Sequence, residues 1–220
     1  RMVRKDAANV TALATEDNLR AIRATAEAIA SARRTLIVSS GTGAGPAHIL
    51  SYLGTIFGHD VRVALDAVTA QAVQATRLDE GDCLIVINVW RLTRTLHGLT
   101  RLGKQRGATV CVLTDQRSSV LSDYADHLIV PSIEGIDGAV SLTAMVAAVQ
   151  AILGELTTAE PAARAARSSG PGTTWASWTT GLRDRADRVS VEHRCLRHVT
   201  IRSHPSAISH RPPPRLVAVH

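Results

Sequence analysis

Thr35-Leu-Ile-Val-Ser-Ser-Gly-Thr-Gly-Ala-Gly-Pro46 reads as an apolar strand that runs straight into a glycine-rich turn. Pro46 follows where a helix can begin, because its missing N–H costs nothing in a first turn. A strand, a tight turn and a helix in this order leave unpaired backbone N–H groups at the helix mouth, where the dipole is positive. Such a mouth takes anions. A phosphate or carboxylate ligand is therefore the first expectation.

On either side of this unit, short apolar runs alternate with helical stretches. Upstream, Leu19, Ile22, Ala26 and Ile29 recur at helical spacing and predict an amphipathic helix over 16–32. The β-type runs are Thr35–Ser40, Val61–Leu65, Cys83–Asn88, Ala108–Thr114 and His127–Pro131. Helices are expected near Pro46–Phe57, Ala67–Thr76, Thr93–Arg106, Val120–Asp123 and Val140–Leu156. The runs are solidly apolar, as in Leu84-Ile-Val-Ile87, which suits strands buried on both faces. Five of them alternating with helices predict an α/β fold with a parallel sheet between helix layers.

Charge separates the chain into two materials. Residues 1–157 contain 15 Lys+Arg and 15 Asp+Glu, so the whole net charge of +6 falls in 158–220. The balanced part shows no basic DNA-binding footprint of its own. Residues 158–220 also hold six of the eight prolines and five of the nine histidines, with no apolar periodicity. A solvated, disordered basic tail is expected there, its arginines suited at most to weak phosphate contacts without sequence preference. The predicted organisation is an N-terminal linker and helix over 1–32, a ligand domain over 33–157 and the tail over 158–220.

No run approaches the roughly 18 apolar residues that a membrane span needs. Arg1–Asp6 lacks the apolar core of a signal peptide. Cys83, Cys111 and Cys195 are odd in number and widely spaced, giving neither a disulfide framework nor a metal box. These features predict a cytoplasmic protein without membrane contact, metal or cofactor.

For the turn itself, a dinucleotide fingerprint is one reading, with Asp66 at the end of the second strand placed for a ribose. Pro46 breaks that motif at its third small position. A pocket for a small phosphorylated or acidic metabolite is the second reading, with Ser40, Gly41, Thr42 and Gly43 supplying hydroxyls and N–H groups. The plain alternative is a turn that needs glycine for backbone reasons alone. With strand order 2-1-3-4-5, the loop Asn88-Val-Trp-Arg-Leu-Thr-Arg-Thr95 would face this turn across a crevice at the strand ends. There Asn88, Arg91 and Thr93 become candidate ligand residues, with Arg91 as a bidentate clamp and Thr93 and Thr95 as hydroxyl donors. Against that stands a solvated Arg91 and a Trp90 packed on a neighbouring subunit. Ser118 is carried as a further ligand candidate, although Ser118 and Ser119 precede a helical stretch and also suit capping. His48 and Glu134 are the titratable groups that could act as a base, and no triad or metal cluster assembles around either.

Together the leader Asp17-Asn-Leu-Arg-Ala-Ile22, the strand-turn Ile37–Ala44, Gly81-Asp82, Lys104–Ala108, Thr114-Asp115 and Ser119–Asp126 resemble a sugar isomerase (SIS) domain. The resemblance is to the effector half of RpiR/MurR-family transcriptional regulators and covers about residues 17–157. It implies a flavodoxin-like three-layer sandwich, with a five-stranded parallel sheet of order 2-1-3-4-5, that binds phosphosugars without transforming them. It also implies a homodimer or higher homo-oligomer, and operator DNA contacted only through an upstream helix-turn-helix module that this sequence lacks.

Two departures from the family pattern bear on the ligand. A serine usual in the phosphate turn is Gly45 here. The second loop, Ser-x-Ser-Gly-x-Thr in the family, has Asn88, Trp90, Arg91 and Thr93 at the matching positions. Trp-Arg-Leu resembles a divergent branch of the regulators, and Arg91 is expected to take over anion recognition, for a sugar acid or another carboxylate. The leading expectation is a sensor of a carbohydrate derivative. A phosphosugar isomerase and a ligand-free dimerisation module are the alternatives.

Overall fold

The computed structural model describes residues 1–64, 68–117 and 119–158. Asp66, Ser118, Cys195 and the tail from residue 159 onward lie outside the described residues, and with them the expectations placed there.

Five parallel strands form one sheet: β1 (Thr35–Ser39), β2 (Val61–Ala64), β3 (Cys83–Asn88), β4 (Thr109–Thr114) and β5 (His127–Ile129). Their order is β2-β1-β3-β4-β5, the order that the family resemblance implied. The register sets Thr35 beside both Val61 and Cys83, and Cys83 beside Thr109. Successive side chains point to opposite faces, so each strand feeds two cores. Ile37, Ile85, Ile87, Cys111, Leu113 and Ile129 build one core, under α2 (Glu16–Ser31), α3 (Ala44–Ile56) and α6 (Thr143–Thr158). Leu36, Val38, Leu84, Val86, Val110 and Val112 build the other, under α4 (Val68–Ala75) and α5 (Arg94–Gln105). Burial of such a side chain is worth about 1.5–3 kcal/mol, which is why both faces must be covered. β2 is an edge strand, and its exposed Arg62 pairs with Asp60 at 2.8 Å.

Three local findings differ from the sequence reading. A helix, α1 (Met2–Leu13), occupies the segment read as linker. It is held by polar side chains: Asn9 Nδ2 donates to the Glu134 carbonyl at 2.7 Å, and Ser141 Oγ donates to Asp6 Oδ1 at 2.6 Å. Of residues 120–123, expected to be helical, 120–121 form a turn that leads into a single 3-10 turn at Ser122–Tyr124, with Ser119 Oγ accepting from the Leu121 N–H. The helix after β1 starts at Ala44 rather than Pro46, behind a 3-10 turn at Gly41–Gly43. Pro46 is then the third helical residue, still inside the turn whose N–H groups have no helical partner.

At the opposite end of the sheet a buried Asp82 carboxylate joins three segments. It pairs with Arg34 at 2.9 Å and Arg33 at 3.3 Å, and accepts from the Asp79 N–H at 2.9 Å. This accounts for Gly81-Asp82 as a structural rather than a ligand feature: it closes the start of β3 against the start of β1.

Candidate ligand site at the strand ends

Because all five strands are parallel, their C-terminal ends open on one side. The chain leaves β1 toward β2 and then returns past it to β3, so the loops after β1 and β3 diverge and leave a crevice. A cleft of about 380 Å³ lies there. Ser39, Ser40, Gly41 and Ala44 line one side, Thr93, Thr95 and Leu96 the other, and Val68 and Gln71 of α4 complete it.

The turn after β1 lies directly on the strand ends. Gly41 has φ +57°, a left-handed conformation that side chains disfavour. A Cβ at Gly43 would stand 2.4 Å from Ser39 Oγ and 3.1 Å from the Ile87 carbonyl oxygen. Ser39 Oγ itself donates to that carbonyl at 2.8 Å, tying the ends of β1 and β3. Gly45 is the opposite case, with nothing within 4 Å of the Cβ position.

Of the candidate residues, Ser40, Gly41 and Thr93 meet in the cleft, with Thr95 beside them. Gly43 is buried beneath the turn, and Thr42 is exposed outside the lining. Thr93 caps α5, its Oγ1 accepting from the Leu96 N–H at 3.2 Å, and its hydroxyl proton stays available to a ligand. Asn88 is buried at the end of β3. Its Nδ2 donates to Thr114 Oγ1 at 3.4 Å, while Oδ1 has no partner among the described residues. Arg91 stands outside the lining, its guanidinium 5.2 Å from the centre of the Trp90 ring. Trp90 is exposed, with φ +67°, and its N–H donates to Asp115 Oδ1 at 3.1 Å.

Neither candidate base lines the cleft. His48 is exposed on α3. Glu134 is exposed after β5, where a hydrogen bond from Lys5 and the charge behind it hold its carboxyl below the usual glutamate value. Sequence reasoning missed Val68 and Gln71, because a helical pattern does not tell which neighbouring helix leans over a crevice. Ser39, Ala44 and Leu96 flank residues already singled out and follow from them.

Among the described residues no helix is long and apolar enough to cross a membrane. Comparison with curated proteins finds no significant match. Among solved structures, the chain is similar to the sugar isomerase domain of an RpiR transcription factor from Sphaerobacter thermophilus, at 25% identity and TM-score 0.70. That match covers 76% of this chain and 93% of the other. It is also similar to the Vibrio vulnificus NanR protein complexed with ManNAc-6P, at 18% identity and TM-score 0.65, covering 72% of this chain and 61% of that one. A hypothetical protein of Methanococcus jannaschii, for which 3-hexulose-6-phosphate isomerase function is inferred, matches at 12% identity and TM-score 0.59, with 70% and 88% covered. The last two likenesses speak to the fold alone. The SIS domain family model matches residues 28–154, from within α2 to within α6 and across the whole sheet with its cleft. The chain belongs to the SIS domain family.

Proposed function

We propose that residues 33–157 are the effector-sensing domain of an RpiR/MurR-type regulator, of a divergent branch, binding an acidic or phosphorylated sugar derivative without transforming it. The carrying observation is the chemistry of the lining. Hydroxyls of Ser39, Ser40, Thr93 and Thr95 and the Gly41 backbone offer hydrogen bonds, and no described lining residue is titratable. Hydroxyls and amides can hold a sugar. Aldose–ketose isomerisation also needs a base beside the substrate carbon, and Glu134 and His48 both lie away from the cleft.

The likeness to the sugar isomerase domain of the RpiR transcription factor supports the sensing role. In this reading the effector biases one arrangement of a cytoplasmic homo-oligomer. It thereby changes the spacing of helix-turn-helix heads carried outside this sequence. The test is a thermal-shift screen of the 220-residue chain with phosphosugars, sugar acids and dinucleotides, run beside an aldose–ketose interconversion assay. A ligand specific for the folded state raises the melting temperature by mass action. The expected result is a shift with one class of acidic sugar and no turnover. Turnover would make the chain an isomerase, and a flat screen on a folded dimer would make it an assembly module.

A further inference from the structure

We infer that Trp90 is a positioning residue that fixes the Arg91 guanidinium at the cleft mouth, and that the ligand is a polyhydroxy carboxylate, a sugar acid, rather than a phosphosugar. This rests on the sensor reading and names the ligand class for the same site.

Trp90 has φ +67°, a rare conformation for a bulky side chain, and it is 61% exposed, so burial does not account for it. Strain held in place by its surroundings concentrates at ligand clamps. Two backbone contacts hold this one. The Trp90 N–H donates to Asp115 Oδ1 at 3.1 Å, and the Arg91 N–H donates to the Val89 carbonyl at 2.9 Å, closing a tight turn. The turn sets the Arg91 guanidinium over the indole, 5.2 Å from its centre. A guanidinium on an aromatic face keeps its in-plane N–H fork free, and Arg91 has no carboxylate partner among the described residues.

Charge and the neighbouring amide select the anion. The described lining carries no charged side chain. Beside it, Arg91 of the loop after β3 and Arg94 at the start of α5 stand against Asp115, and Arg117 of the loop after β4 is paired with Asp17 at 3.9 Å, which leaves a surplus of one positive charge among the described residues. That surplus matches a carboxylate, whose plane the fork engages in two parallel hydrogen bonds. A phosphate dianion would bring a second negative charge toward Asp115. Two residues before Trp90, the 3% exposed Asn88 amide has one end on Thr114 and the other unpartnered. Buried amides take partners, and what Oδ1 lacks is a donor, which a sugar hydroxyl would be.

The test uses the whole chain in thermal-shift and calorimetric titrations with two matched panels, hexonates and hexuronates against hexose and ketose 6-phosphates. The parent is expected to respond to the carboxylate panel. Trp90→Gly, which suits the positive φ, should melt close to the parent yet bind at least about tenfold more weakly, as for loss of one charge-assisted hydrogen bond. Trp90→Tyr should restore binding, and Arg91→Lys should not. A parent that responds only to phosphosugars overturns the inference and leaves the sensor reading standing. Equal carboxylate binding by Trp90→Gly or Arg91→Lys also overturns it. A parent flat to both panels overturns inference and sensor reading together.

Discussion

Two glycines of one turn carry opposite constraints. At Gly43 an added methyl would collide with Ser39 Oγ at 2.4 Å and press on the Ile87 carbonyl oxygen at 3.1 Å. The carbonyl cannot yield without moving β3, and the Ser39 hydroxyl cannot turn away without breaking its 2.8 Å bond. Gly43→Ala is therefore expected to cost about 1–3 kcal/mol, the usual range for overpacking, and to lift the turn from the strand ends. At Gly45 the space is open, so Gly45→Ser should stay within about 0.5 kcal/mol of the parent, as for an unconstrained surface position. Paired denaturant melts check both variants. A Gly43→Ala protein as stable as the parent would mean that the turn does not rest on the strand ends.

At the scale of elements, the strands and most helices were legible because their signals are local. Leu84-Ile-Val-Ile87 can be satisfied only by cover on both faces, and Thr93 before Arg94 marks a helix start by its capping oxygen. The glycine turn and the loop after β3 were legible as a facing pair because strand order alone brings them together. α1 was not legible. Three of its seven apolar residues are alanines and only Leu13 among the seven is buried, while its anchors are Asn9, Asp6 and Lys5, bonded to Glu134 and Ser141 more than a hundred positions away. No periodicity encodes such partners. Asn18 is the clearest case. This buried amide donates to the Leu13 carbonyl at 3.1 Å and the Val130 carbonyl at 3.4 Å, and accepts from the Val130 N–H at 2.9 Å. It joins the end of α1, α2 and the exit of β5. Asn18→Ala would strand those backbone groups and is expected to cost about 2–3 kcal/mol. The check is a lower denaturant midpoint at unchanged slope. An unchanged midpoint would mean that α1 and the exit of β5 are held by other contacts.

For the molecule as a whole, acid should loosen the sheet edge at β5 and the α1 attachment. Burial pushes the Asp126 carboxyl up, but the Lys104 ammonium and the Val110 N–H, at 2.9 Å, outweigh it and hold the pKa below the ordinary 3.8. Glu134 is held below 4.5 by Lys5. For both groups the folded-state value is the lower one, so each stabilises the fold fully when pH is above its unfolded-state value. Each contribution then fades as pH falls through the folded-state value. The melting temperature should thus be flat in these contributions near neutral pH and decline as pH drops below 4.5 and then 3.8. Lys104→Gln separates the Asp126 part, because it removes the ammonium while the Val110 N–H remains. The variant should melt below the parent at pH 7, with the gap narrowing as Asp126 becomes protonated in both proteins. Raised salt at pH 7 should narrow it as well, since the pair is partly exposed and screened. A gap of the same size at pH 3 and at pH 7 would assign the loss to the packing of the Lys104 stem on α5 rather than to its charge.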